Sequence, residues 1–220
     1  MEKFFPVLSK CPLFAGIEPD SLGAMLACLG AAPKRFAKVE NILTEGDPAR
    51  WIGVVLSGCA QVYRLDYDGN RSLMAHVMPT EIFAEAFACA QVGPMPVNVS
   101  ALEECDVLLI DASRVTRVCA QACDFHQQMI YNLMRILALK NLACNQKIEV
   151  TSKRSTREKL LAYLMLQAKR AGSSSFTIPF DRQTLADYLE VDRSGLSAEI
   201  GKLRREGILE SEKNRFTLLL

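Results

Sequence analysis

The chain has 220 residues, half of them hydrophobic and 23% charged, a composition that excludes a disordered protein and is typical of a globular one. It has no run of about 18 apolar residues, and its first residues lack the cationic flank, long apolar stretch and cleavage site of a signal peptide. We therefore expect a cytoplasmic protein with no membrane partner, whose eight cysteines are mostly reduced and buried.

The charge is unevenly distributed along the chain. Residues 1–150 carry 13 basic and 16 acidic residues, whereas residues 151–220 carry 13 basic and 9 acidic ones. The net charge of +1 therefore conceals a C-terminal third with a charge of +4. A basic segment on a faintly acidic body indicates a polyanionic partner.

Residues 33–113 alternate short apolar runs with turn signals, after a predicted helix over residues 19–29. Asp68-Gly69 separates two of these runs, as the turn of a β-hairpin does. Many short strands with regular turns favour a small antiparallel barrel or jelly roll. The predicted strands are residues 51–56, 60–65, 73–77, 98–101 and 107–111.

Residues 114–149 contain neither proline nor glycine and predict a long helix. Apolar residues occupy most of its circumference, so the helix must be covered on more than one side. We expect the barrel to be one cover and the same helix of a second subunit to be the other. The alternative is the central helix of a monomeric core.

The C-terminal third contains the most informative pattern. A polar hinge over residues 151–156 precedes a predicted helix that ends near Ala171, and two short helices capped by Asp181 and Asp192 follow. Small Ala186 allows these two helices to approach closely, and Val191 fills the turn between them. This spacing predicts a helix-turn-helix, and residues 207–218 predict a small hairpin, or wing, after it.

In a helix-turn-helix the second helix enters the major groove of DNA, with its N-terminal residues at the base edges. We predict that Arg193, Ser194 and Ser197 face the bases. Other polar residues are expected along the phosphates, namely Arg182, Gln183, Lys202 and Arg205. The alternative is that these charges only solvate a helical hairpin.

Three separated motifs resemble the cyclic-AMP receptor/FNR (Crp/Fnr) superfamily of bacterial transcription regulators. ILTEGDPARWIGVVLSG at residues 42–58 is similar to the sensor signature, TEIFAE at 80–85 to the phosphate-binding cassette, and residues 182–209 to the DNA-reading motif. The resemblance implies an α+β protein with an N-terminal jelly-roll β-barrel of the cyclic-nucleotide-binding type, a long dimerisation helix and a C-terminal winged helix-turn-helix. The corresponding domains are residues 1–118, 119–150 and 151–220.

The departures from the family pattern argue against cyclic AMP as the effector. Cyclic-nucleotide binders of the family follow the cassette glutamate with an Arg-Ser/Thr-Ala segment, whereas this chain has Met95, Pro96 and Val97, which supply no charge for a phosphate. Ala84 stands in the place of the cassette glycine. Leu142 and its neighbour Ala143 stand where polar residues of the long helix would meet the purine.

The residues predicted to line the effector pocket of the barrel are largely apolar, and two of them are acidic. We predict that it binds a small organic molecule other than cyclic AMP and needs no resident metal or cofactor. Its predicted lining is Glu81, Phe83, Glu85, Phe87, Met95 and Leu142. Glu85 has a second interpretation, in which it pairs with an arginine or accepts hydrogen bonds from backbone N–H groups.

Redox or gas sensing by the same family is the alternative. Cys11 stands alone where iron–sulfur members have a cysteine cluster, while Cys119 and Cys123 are four residues apart on one helical face. His76 is the stronger candidate for a haem ligand and His126 the weaker one.

Two further alternatives come from other classes of protein. A cupin-like metalloenzyme is disfavoured because the chain has only two histidines, 50 residues apart, and no G-x-S-x-G nucleophile motif. An interaction module that has lost DNA binding is the other.

The sequence thus predicts a homodimeric regulator, not an enzyme, that binds a small-molecule effector and a palindromic operator in double-stranded DNA. RNA polymerase is a further partner if the protein activates transcription. Many relatives have glutamate at the place of Ser194 and arginine at the place of Ala198. The resemblance therefore does not transfer an operator sequence.

Overall fold

The computed structural model describes residues 2–69, 71–116 and 124–219. The chain divides into two compact units, Met1–Leu139 and Lys140–Leu220. The three domains predicted above therefore stay a prediction.

The first unit is built on two four-stranded antiparallel sheets, with strand orders β1-β8-β3-β6 and β2-β7-β4-β5. Its strands are β1 (Ala32–Phe36), β2 (Asn41–Leu43), β3 (Trp51–Ser57), β4 (Ala60–Leu65), β5 (Arg71–Val77), β6 (Ile82–Phe83), β7 (Asn98–Ala101) and β8 (Cys105–Asp111). Each of the five predicted strands is present, and β4 pairs with β5 across the predicted hairpin. Two packed antiparallel sheets confirm the α+β fold with an N-terminal jelly roll.

Strand β3 is buried on both faces because it separates two hydrophobic clusters. Ile52, Val54 and Leu56 face the first hydrophobic cluster, which is built with the N-terminal helices. Val55 faces the second one, the barrel cluster, in the interior of the barrel. The alternation follows from the two-residue period of a strand. The helices of this unit are α1 (Phe5–Leu8), α2 (Pro19–Cys28), α3 (Glu85–Ala90) and α4 (Ala112–Thr116).

The long helix α5 spans Asp124–Thr151. Met129 and Leu133 are buried in the first hydrophobic cluster, so the prediction that the barrel unit covers one side of this helix is confirmed. Tyr131 and Met134 are 58% exposed on another side. The Cys119–Cys123 pair lies outside the described residues.

The second unit packs three helices against a three-stranded sheet, in the strand order β10-β11-β9. Its elements after α5 are α6 (Thr156–Ala171), β9 (Ser175–Thr177), α7 (Arg182–Leu189), α8 (Arg193–Arg205), β10 (Leu209–Glu212) and β11 (Arg215–Leu218). The predicted cap at the start of α6 is present as a capping box between Ser155 and Glu158. The predicted wing is present as β10 and β11, and β9 extends it to three strands.

Candidate nucleic-acid interface and sensor pocket

Two aspartates begin the two helices of the helix-turn-helix, as the sequence predicts. The Asp181 side chain accepts a hydrogen bond from the Thr184 N–H (2.7 Å), and the Asp192 side chain accepts one from the Gly195 N–H (2.8 Å). The Val191 N–H donates to the Ala186 carbonyl (3.0 Å) and closes the turn between α7 and α8. Ala186 is fully buried, which agrees with its predicted role in the close approach of the two helices.

Helix α8 is held by an apolar face and a double ion pair. Leu196, Ile200 and Leu203 are buried in the core of the second unit. On the flank of the helix, the Arg157 guanidinium contacts Glu199 (3.4 Å) and Glu206 (2.6 Å). These contacts fix which face of α8 remains accessible.

The accessible face of α8 presents the predicted polar residues. All five of them are exposed, namely Arg193, Ser194, Ser197, Lys202 and Arg205. The Ser194 hydroxyl hydrogen-bonds to Asp192, and the Ser197 hydroxyl donates to the Arg193 carbonyl (3.0 Å). Small side chains lie between the basic ones, so an incoming surface can approach the helix closely.

A cleft of about 780 Å³ brings the starts of both helices together with the turn of the wing. The predicted residues Arg182, Gln183 and Arg193 line it, together with Lys213 and Asn214 from the turn between β10 and β11. Lys213 was not among the predicted site residues, although a cation at the tip of a predicted wing was a usable signal. Lys202 and Arg205 do not line this cleft; Arg205 lines a second cleft, of about 390 Å³, beside Arg204.

Arg182 is the most constrained cation of the cleft. Its guanidinium lies over the Phe216 ring (4.9 Å to the centroid) and donates to the Ser211 hydroxyl (3.4 Å). Partial burial and the nearby positive charge of Arg204 both lower the pKa of Arg182. Among the described residues, no carboxylate forms an ion pair with Arg182. Asp181 also lines the cleft, but a partly desolvated cation that forms no ion pair among the described residues favours the binding of an anion.

In the barrel, the segment that replaces the family's phosphate-binding arginine is tied to a distant turn. The Met95 N–H donates to the Asp47 carbonyl (2.7 Å), and the Gly46 N–H donates to the Met95 carbonyl (2.9 Å). Met95 and Val97 are only 3% and 0% exposed. Arg64 reaches the Pro96 carbonyl with its Nε (3.3 Å), but its side chain is exposed.

The cassette is also strained where the family has glycine. Ala84 has φ +61°, a left-handed conformation that costs a residue with a Cβ about 1 kcal/mol. The adjacent Phe83 ring fills the space over Gly53, where an added Cβ would lie 2.0 Å from it. Met95, Pro96 and Val97 supply no charged donor in this segment.

The predicted pocket residues are brought together in part. Phe83 and Met95 are buried in the barrel cluster, and Phe87 packs against it. Glu85 is buried (3% exposed) in the first turn of α3. Glu81 is exposed, and its carboxylate accepts a hydrogen bond from the Met78 N–H (2.8 Å).

Leu142 belongs to the second unit and is 56% exposed. Its predicted place in the pocket stays a prediction, as do the roles of the other predicted site residues.

The candidate sensory side chains do not form a reactive or metal-binding cluster in the described part of the chain. Burial raises the pKa of the Cys11 and Cys105 thiols to about 11 and also raises that of Cys59 and Cys89. Such thiols are poor nucleophiles at neutral pH. The described residues contain no group of three or more His, Cys, Asp or Glu side chains placed to hold a metal ion.

The two histidines lie in different surroundings. His76 is exposed on the edge strand β5. His126 is buried (3% exposed), and its Nδ1 has no hydrogen-bond partner among the described residues.

Two sequence models of known families match this chain. The model described as the cyclic nucleotide-binding domain matches residues 33–122, and the model described as the Crp-like helix-turn-helix domain matches residues 158–219. A cyclic nucleotide-binding domain followed by a Crp-like helix-turn-helix domain defines a class of transcription regulators. The chain belongs to the Crp/Fnr family of this class.

Individual relatives support this placement. The nitrogen fixation regulation protein FixK of Bradyrhizobium diazoefficiens is 26% identical over 183 residues, which cover 79% of this chain and 72% of that protein. The CRP-like cAMP-activated global transcriptional regulator of Mycobacterium tuberculosis is 23% identical over 135 residues, which cover 61% of this chain and 59% of that protein. The match with the mycobacterial protein thus spans about three fifths of its length.

A solved structure supports the fold. The c-di-GMP-responsive global regulator CLP of Xanthomonas campestris superposes with a TM-score of 0.55 at 16% identity, over 91% of this chain and 99% of that one. The relatives are transcription regulators. Within the described part of the chain, every helix is too short or too polar to cross a bilayer.

Proposed function

We propose that this protein is a homodimeric transcription regulator that binds a palindromic operator through α8 and the adjoining cleft. The observation that carries the proposal is the convergence of Arg182, Gln183, Arg193 and Lys213 on one cleft beside an accessible helix face. Positive charge at the cleft suits the phosphates, and the short polar side chains of α8 suit the edges of the bases. If the protein activates transcription, RNA polymerase is its further partner.

The exposed side of α5 supports a homodimer. Tyr131, Met134 and Leu142 are 58%, 58% and 56% exposed, although large apolar side chains gain most from leaving water. A second copy of the helix would cover this side. Two copies related by a two-fold axis would present two α8 helices to half-sites about one helical turn, roughly 34 Å, apart.

Selection from random double-stranded DNA is expected to enrich a palindrome that the dimer binds with strong salt dependence. Replacing Arg193 by alanine should weaken binding to that palindrome by about 1–3 kcal/mol for each half-site and relax the base preference where the arginine reads. Fluorescence anisotropy with the selected and a scrambled duplex measures both effects. The scrambled duplex is the internal control, because it retains the phosphates. Equal losses on both duplexes would remove Arg193 from base reading, and an unenriched pool would overturn the proposal.

We also propose that the barrel senses a small, partly apolar organic molecule other than cyclic AMP. Phe83 and Met95 belong to the apolar barrel cluster, Phe87 packs against it, and the buried Glu85 adds a polar group close by in the sequence. Mostly apolar side chains with few polar groups are typical of small-molecule sites. The effector would act by shifting the dimer between states that differ in DNA affinity.

Millimolar cyclic AMP should leave both the melting temperature and the DNA affinity of this protein unchanged. The reason is that Met95, Pro96 and Val97 supply no cation for the cyclic phosphate. Differential scanning fluorimetry and anisotropy measure the two quantities, with a metabolite library as the parallel arm. A saturable rise in melting temperature with cyclic AMP would contradict the prediction.

A further inference from the structure

In the described part of the chain, the middle of α5 is exposed to solvent. Every residue from 138 to 145 is exposed, including Leu139 and Leu142, which are each 56% exposed. Two helical turns exposed all round are marginal in water, because most helix stability in proteins comes from packing. This segment therefore requires a partner.

An uncharged face of the helix indicates what that partner is. Tyr131, Met134, Ala138, Leu142 and Asn145 follow one another at intervals of three or four residues and so share one face. None of the five is charged. In a two-fold dimer, a charge close to the axis faces its own copy, and a face without charge avoids this repulsion. The face suits a second copy of this chain.

Asparagine interrupts this otherwise apolar face at a defined place. Tyr131, Ala138 and Asn145 are seven residues apart, the repeat that a pair of supercoiled helices requires. The Asn145 Nδ2 donates to the Asn141 Oδ1 (3.0 Å) one turn earlier, which orients both amides on the helix surface. An asparagine at such a position fixes register and subunit number and costs stability, because it is satisfied only opposite another polar group.

We propose that Asn145, oriented by Asn141, sets the register of the two α5 helices in the dimer. The inference rests on the homodimer proposed above and adds the residue that specifies it. A slip of one heptad moves one helix by about 10 Å along the other. Such a slip would displace the α8 helix of one subunit from its DNA half-site, so the register of α5 controls operator binding.

Two substitutions at position 145 test the proposal in opposite directions. Asn145→Leu should lower the dimer dissociation constant roughly tenfold or more, since it buries two leucines in the seam, and should produce species larger than a dimer. Its affinity for the selected palindrome should nevertheless fall roughly tenfold, because register is no longer specified. Asn145→Asp places two carboxylates opposite each other and should raise the dimer dissociation constant roughly tenfold.

Analytical ultracentrifugation and native mass spectrometry of the full chain measure the assembly, and anisotropy measures DNA binding. A wild-type protein that stays monomeric at micromolar concentration would overturn the homodimer and this proposal with it. A wild-type dimer whose two position-145 variants keep its mass and affinity would overturn the register role alone.

Discussion

Replacing Arg182 by alanine should lower the operator affinity of the dimer by roughly 10²–10⁴-fold while leaving the stability of the protein nearly unchanged. The affinity range follows from two lost charge-assisted hydrogen bonds of about 1.5–3 kcal/mol each, one per subunit. The slope of log affinity against log salt should become shallower by about 2, because two phosphate contacts are removed. Anisotropy across a salt series measures both quantities.

The stability expectation separates a binding role from a structural one. Arg182 stacks on Phe216 and contacts the Ser211 hydroxyl, which together stabilise the fold by about 1 kcal/mol. Its partial desolvation and its repulsion by Arg204 act in the opposite direction. We therefore expect the free energy of unfolding to change by less than about 1 kcal/mol.

Arg35→Ala is the matched control for this variant. It removes the same charge from the barrel unit, where the exposed Arg35 pairs with Glu104, and it should leave DNA binding and its salt slope as in the wild type. Urea unfolding monitored by circular dichroism gives the stability of both variants. A large loss of stability with an unchanged salt slope would mean that Arg182 stabilises the packing of the wing and does not bind DNA.

The helix-turn-helix could be predicted from the sequence because its determinants are local. Asp181 and Asp192 cap helices through N–H groups three residues ahead, and Val191 closes the turn onto Ala186 five residues back. Such interactions depend on spacing and side-chain chemistry alone. The hairpin at Asp68-Gly69 could be predicted for the same reason, since turn geometry depends on the residues of the turn.

The cleft and the sensor segment could not be predicted in detail because they depend on distant residues. Lys213 and Arg193 are 20 positions apart and come to one cleft only after the wing folds back beside α7. Met95 is fixed by backbone hydrogen bonds to Gly46 and Asp47, about 50 residues earlier. The sequence could therefore indicate that the phosphate-binding charge is missing at this place, but not that Met95 is buried there.

Gly58→Ala should reduce the stability of the barrel unit by about 3–5 kcal/mol, the largest effect that we expect from a single added methyl group. Gly58 turns the chain between β3 and β4 with φ +72°. An added Cβ would lie 2.3 Å from the Glu104 carbonyl oxygen and 2.8 Å from the Cys105 Cβ. The carbonyl belongs to the backbone and cannot rotate away, so the sheet must distort to admit the methyl group. Urea unfolding followed by tryptophan fluorescence reports this unit, since Trp51, the single tryptophan of the chain, lies on β3.

Gly69→Ala separates the steric clash from the backbone conformation. Gly69 has φ +80°, close to that of Gly58, but none of the described residues beyond its chain neighbours comes within 4 Å of its added Cβ. This variant should therefore lose only about 1 kcal/mol, the cost of a left-handed conformation. Equal losses in the two variants would contradict the clash and leave the backbone conformation as the sole cause. A larger loss of stability in Gly58→Ala would show that the close contact between the β3–β4 turn and the Glu104 carbonyl leaves no room for a side chain at position 58.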